Sequence, residues 1–229
     1  MSNLQAVADG LLLAGFPKPS PHWLTTLLPS SRVTPPAQAL LATAKLRLLS
    51  LDLTTPGLFD PSALSLPPNT SDPGVKARTL AQPVLLQVLE VEDMSRSRWE
   101  QIEAIEAQER GEKTRGREIV RDVPAEEGEN GERAGAGGRA GMRGGPHKLV
   151  LQDWRGQRVF GMELAEVPRV ELGMCVGSKI LLRGAAVARG VVLLEPRTAV
   201  VLGGKIVELH EVWVRDRKKI LKEAMESAG

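Results

Sequence analysis

The side chains able to do covalent or acid–base chemistry in this sequence are few and scattered. His22, His147 and His210 lie far apart, and none stands in a metal-ligand spacing with Asp, Glu or Cys. No serine sits in the Gly-x-Ser-x-Gly setting of a nucleophile elbow. Cys175, the one cysteine, lies in the apolar stretch "LGMCVGSK", which suits packing better than a reactive thiolate. "GEKT" at 111–114 ends like a phosphate loop but lacks the upstream glycine spacing and the preceding strand. The sequence therefore predicts no catalytic residue, no metal and no cofactor, and hence not an enzyme.

Binding is the chemistry that remains. In "SRSRWEQIEAIEAQER" (95–110), Ser97 and Glu100 form a capping box, which places Trp99, Ile102 and Ile105 on one face of a helix. Those three either grip a partner or pack back on the protein itself. "RGREIVRDV" (115–123) adds Arg115, Arg117, Val120 and Arg121. "RDRKKILK" (215–222) sets Arg215, Arg217, Lys218 and Lys219 on a basic helix, which reads as a DNA-phosphate contact or as a solvated face.

These residues need elements to hold them. Leu4, Val7, Leu11 and Ala14 recur at helical spacing, Trp23 to Leu28 form a short second segment, and "AQALLATAKLRLLSLDL" carries a third apolar stripe. Residues 1–53 thus read as a three-helix bundle. Residues 54–82, rich in proline, read as an extended linker pinned by Leu58, Phe59 and Leu64. From Pro83 the texture turns to strands. "PVLLQVLEVEDM" is a first strand, "HKLVLQDW" and "RVFGMEL" pair across "DWRGQR", and "SKILLRGAAVA" and "RGVVLLEP" form a hairpin turning at Arg189-Gly190. "KIVELHEVWV" reads as a last short strand before a C-terminal helix at 214–226. Five strands in 83–213 suit a small Greek-key barrel. The segment at 93–146 interrupts it between strands one and two, about ten times longer than an ordinary hairpin loop. Its second half, "PAEEGENGERAGAGGRAGMRGGP", has almost nothing to bury and predicts disorder.

Composition narrows the partners. The 30 Lys+Arg against 28 Asp+Glu leave a net charge of +2, too little to demand a polyanion. Four Trp, three Phe and no Tyr are a poor supply for a base-stacking platform. A single cysteine fits a reducing compartment, and the absence of a signal peptide or membrane-length apolar run predicts a soluble intracellular protein.

The order of "SPHWL", "LRLLSLDL", "PVLLQVLEVEDMSRS", "KLVLQDWRGQRVFGMEL", "VGSKILLRG" and "RGVVLLEPRTAVVLGGKIVEL" resembles the RecQ-mediated genome instability family. The resemblance covers nearly the whole chain apart from residues 110–146. It implies an α+β protein: an N-terminal three-helix bundle, then a five-stranded OB-fold barrel (83–229) with the long insert (93–146) and a C-terminal helix. It implies a nuclear scaffold that binds topoisomerase III and, through it, a RecQ-family helicase, in DNA repair, recombination and replication by double Holliday junction dissolution. The insert would modulate the enzyme gate, DNA would be met mainly through the complex, and no membrane is involved. Lys179 in "GSK" matches a family position at the start of a strand on the docking side, against the alternative of a snorkelling lysine. The other reading is an independent OB-fold that binds single-stranded nucleic acid, for which the second and third strands offer only Trp154 and Phe160.

Overall fold

The computed structural model of the chain describes residues 3–28, 35–115, 118–121 and 145–226. Helices α1 (Asn3–Leu13), α2 (Pro21–Thr25) and α3 (Ala37–Ser50) come first. The Ser20 hydroxyl accepts the Trp23 N–H at 3.1 Å and Pro21 fills the first helical position, so α2 starts where the sequence supplies its cap. Val7 and Leu11 of α1 share a core with Leu40, Ala44 and Leu48 of α3. Strands β1 (Ala77–Thr79) and β2 (Val84–Asp93) follow, then α4 (Arg98–Glu109), β3 (Glu112–Arg115) and β4 (Glu118–Arg121). The chain continues through β5 (His147–Gln152), β6 (Arg158–Glu163), β7 (Lys179–Leu182), β8 (Ala186–Ala188), β9 (Val191–Leu194), β10 (Ala199–Gly203) and α5 (Val207–Glu226).

Two compact units result: Met1–Met94 with Pro146–Arg215, and Ser95–Gly145 with Asp216–Gly229. In the first, eight strands form one sheet in the order β1-β8-β9-β6-β5-β2-β7-β10, where the sequence suggested five. Most neighbours are antiparallel, and β6–β9 is parallel. The inward residues Leu86, Val88, Leu149, Leu151, Ile180 and Val192 belong to one continuous core. The sheet has a second buried face. Leu85 and Leu181, register partners on β2 and β7, belong to the core of the helical segment instead. This is why the first half of β2 is buried at every position rather than alternating.

Several sequence expectations change here. The Arg189-Gly190 hairpin is real but shorter, joining β8 to β9. Both turn residues have positive φ (51° and 82°), the signature of a tight two-residue turn that matches strand twist. "SKILL" is not its first arm, because β7 pairs with β2 and β10. "KIVELHEVWV" is no strand. Its residues from Val207 onward open α5, with the His210 N–H bonded to the Ile206 carbonyl at 2.9 Å, so the C-terminal helix begins at 207 rather than 214. Residues 54–82 are more than a linker: β1 pairs with β8, and of the three expected pins Leu58 and Phe59 are buried and Leu64 is exposed. The glycine-rich half of the insert lies outside the described residues, apart from its last two.

The second unit comprises α4, the β3–β4 ladder and the distal part of α5. The Ser97 capping box forms as its residues predict: Glu100 N–H to Ser97 Oγ at 3.2 Å, and Ser97 N–H to Glu100 Oε2 at 2.8 Å. Those bonds hold the Glu100 carboxyl below its usual range.

Candidate partner-binding surfaces

Lys179 shows first how the barrel is built. Its side chain is fully buried, and the Nζ donates to the Leu51 carbonyl at 2.8 Å and the Gly177 carbonyl at 2.7 Å. Beside it, Gln87 Nε2 donates to Asp52 Oδ1 at 2.8 Å, and Gln87 Oε1 accepts the Leu53 N–H at 2.9 Å. Register places Lys179 opposite Gln87, on the sheet face that receives the helical segment. The two side chains staple the chain after α3 to the sheet. Burial pushes the ammonium down to about 8, against the pull of the Asp52 carboxylate. The expectation of Lys179 as a partner-contacting residue is therefore corrected: an enclosed amine positions the helical segment and meets no partner directly.

Trp154 is likewise committed. Its Nε1 donates to the Leu64 carbonyl at 2.9 Å, and its ring packs against Phe59 at 6.0 Å between centroids. Of the two aromatics on strands two and three of the expected barrel, only Phe160 faces outward, 50% exposed. The Lys148 ammonium stands 5.4 Å from its centroid and pairs with Glu92 at 2.9 Å.

Around Phe160 the outer sheet face carries an apolar cluster edged by Lys148, Gln152 and Arg158. Val150, Phe160 and Val191 are register partners across β5, β6 and β9, and Met162 and Leu193 lie in the next row. The alternation along each strand turns these residues outward while Leu149, Leu151, Val159 and Val192 fill the core. Two residues beyond Met162 stands Leu164, 57% exposed. The Met94 N–H bonds the Pro146 carbonyl at 3.0 Å, and exposed Met94 is the last residue before the insert leaves the first unit. Exposed apolar side chains thus continue past the Lys148–Glu92 pair to the root of the insert. Only Phe160 of this set drew notice in the sequence. The readable signal was that Val150, Phe160 and Met162 stand at the outward positions otherwise held by Lys148, Gln152 and Arg158, where a wet strand face should stay polar.

At that root, His147 Nδ1 and its N–H both meet Glu163 Oε2, at 2.6 and 2.9 Å, and Glu163 Oε1 accepts the Val167 N–H at 2.9 Å. Burial alone would raise the Glu163 carboxyl. The His147 and backbone hydrogen bonds overcome this and lower it.

In the second unit Trp99 is 63% exposed, Ile105 is half-buried and Ile102 is buried. The apolar triad is therefore split: Ile102 packs within the unit and is removed from the partner-contact set, while Trp99 points outward. Arg115, Val120 and Arg121 lie on the backbone ladder of β3 and β4, Arg115 opposite Glu118, Val120 opposite Lys113 and Arg121 opposite Glu112. Arg117 is outside the described residues. Lys218 Nζ lies 3.1 Å from Glu106 and 2.8 Å from Glu109, Lys222 Nζ lies 3.3 Å from Glu106, and Arg217 donates to Gln101 Oε1 at 3.4 Å. Arg98 donates to the Ala224 carbonyl at 3.1 Å, near the C-terminus of α5. These bonds lower the Glu106 carboxyl and raise the Lys218 ammonium. Lys219 is exposed and lies 3.7 Å from Glu223, and Arg215 is exposed on the same helix. Among the described residues no group of three or more His, Cys, Asp or Glu is placed to hold a metal, and no helix is long and apolar enough to cross a membrane.

Two family models match this arrangement. Residues 66–217 match the family described as "RMI1, N-terminal OB-fold domain", and residues 13–56 match "RMI1, N-terminal helical domain". The chain belongs to the RMI1 family. The eight-stranded sheet thus belongs to an OB-fold domain preceded by the family's helical domain. Among curated proteins, an RMI1-family relative, RecQ-mediated genome instability protein 1 of Schizosaccharomyces pombe, is 30% identical over 150 residues. The match covers 61% of this chain and 62% of that relative's length.

Proposed function

We propose that this RMI1-family chain is a non-catalytic nuclear scaffold that docks on topoisomerase III and, through it, joins a RecQ-family helicase in double Holliday junction dissolution. One observation carries the reading: Val150, Phe160, Met162, Val191 and Leu193 form an outward apolar cluster across β5, β6 and β9, with exposed Leu164 and Met94 beyond it at the insert root. A face of this kind suits an apolar protein surface, whereas a single-strand platform needs several exposed aromatics among cations. With Trp154 committed to packing and Lys148 paired, independent base stacking is the weaker alternative. A partner seated on the face lies beside the insert root. An insert that favours one gate state of the enzyme shifts the gate only by its differential affinity for the two states. The name of the fission-yeast relative, which speaks of RecQ-mediated genome instability, agrees with this setting.

The test replaces residues 95–145 by a short Gly-Ser turn and measures both capture of purified topoisomerase III and the decatenation time course. Capture that survives with slowed decatenation is the expected outcome. Loss of neither would reduce the insert to decoration, and loss of capture would move the docking surface from the barrel to the insert.

A further inference from the structure

The basic helix singled out in the sequence has a covering that the sequence did not announce. Lys218 and Lys222 stand one turn apart on α5, a spacing that puts both on one helix face. Glu106 and Glu109 of α4 occupy their ammonium groups at 2.8–3.3 Å, with Glu106 shared between the two lysines. We propose that Lys218 and Lys222 form a binding surface for the phosphate backbone of single-stranded DNA, which the insert helix masks with Glu106 and Glu109.

The contact is built to exchange. Its ion pairs are part-exposed and screened, the class that adds little to stability. Ile102 and Leu221 are the large apolar side chains that this unit buries among its described residues. Carboxylates and phosphates compete for the same ammonium groups, so the insert helix and a nucleic-acid strand exclude each other there. By linkage, whatever draws α4 away strengthens DNA capture, and bound DNA eases release of α4 by the same factor. The choice of DNA as the polyanion rests on the proposed function. The masking rests on the geometry alone, and no topoisomerase is needed to test it.

The test uses the full chain and fluorescein-labelled oligo(dT), read by anisotropy across a salt series. Two added phosphate contacts, each contributing a slope of about 0.7, multiply affinity by about tenfold near 0.15 M salt. Glu106→Gln with Glu109→Gln should produce that gain and quicken hydrogen exchange across 98–109. Adding Lys218→Ala and Lys222→Ala should cancel the gain and lower the salt slope by about 1.4. Glu103→Gln with Glu226→Gln, an equal change of charge away from the Lys218 and Lys222 ion pairs, should leave affinity near that of the wild type. The proposal is overturned if the control pair matches the gain, if the gain survives loss of the lysines, or if the Glu106/Glu109 double variant changes neither affinity nor exchange.

Discussion

Replacing Lys179 by methionine separates the two opposed contributions of a buried amine. Methionine keeps an unbranched chain of similar reach but removes the charge and both donors. Lowering the ammonium from 10.5 to about 8 means that the folded chain holds the charged form at a disadvantage of about 3 kcal/mol. Against that relief, the variant leaves the Leu51 and Gly177 carbonyls without their donor, at about 1–3 kcal/mol each. At neutral pH the two effects nearly cancel. Between pH 8 and 10.5 the unfolded chain still holds the proton that the folded amine has released, so wild-type stability rises with pH. The methionine variant has no such group. Its stability relative to the wild type should therefore fall by about 3 kcal/mol across that window. Urea unfolding followed by tryptophan fluorescence reads this directly, because the chain contains no tyrosine to add a second emitter. A pH-independent difference between the two would refute the buried-amine reading.

Other sites give simpler outcomes. Gly204 has φ near 100°, and a Cβ there would stand 2.2 Å from the Leu49 carbonyl oxygen, so Gly204→Ala should cost at least about 2 kcal/mol in a thermal or urea melt. Glu163→Gln should cost about 2 kcal/mol at neutral pH by replacing the buried carboxylate that accepts from the His147 and Val167 N–H groups with a weaker acceptor. Because the Glu163 carboxyl is lowered, its contribution is complete above its ordinary 4.5 and fades as pH falls, so acid unfolding profiles of the two proteins should converge. Asp153→Ala should cost about 3 kcal/mol, since its carboxylate accepts the N–H groups of Leu66, Arg155 and Gln157.

Local signals were the legible ones. The Ser97–Glu100 box, the proline-bounded helices and the Arg189-Gly190 turn each draw on contacts a few residues apart, and their residues specify them. Longer-range packing was not legible. Lys179 looks like a surface residue until the chain after α3 closes over it, and Leu58 and Phe59 look like surface pins until the helical core forms around them. "KIVELHEVWV" alternates well enough for a strand, yet Ile206 is buried just before the helix and the residues from Val207 onward continue as α5, which buries Leu221. The outer face of β5 and β6 was visible only as missing polarity. The pairing of the insert with α5 left no trace beyond the glutamates of α4 and the basic run at 215–222.

The central claim is that topoisomerase III binds the apolar outer face. The most direct measurement is the Kd of purified topoisomerase III for the wild type and for Phe160→Asp with Leu164→Asp. Both side chains are exposed, so the melt should stay near the wild-type value. Losing two apolar contacts worth about 1.5–3 kcal/mol each should weaken binding by at least about a hundredfold. An unchanged Kd in the folded variant would contradict the account.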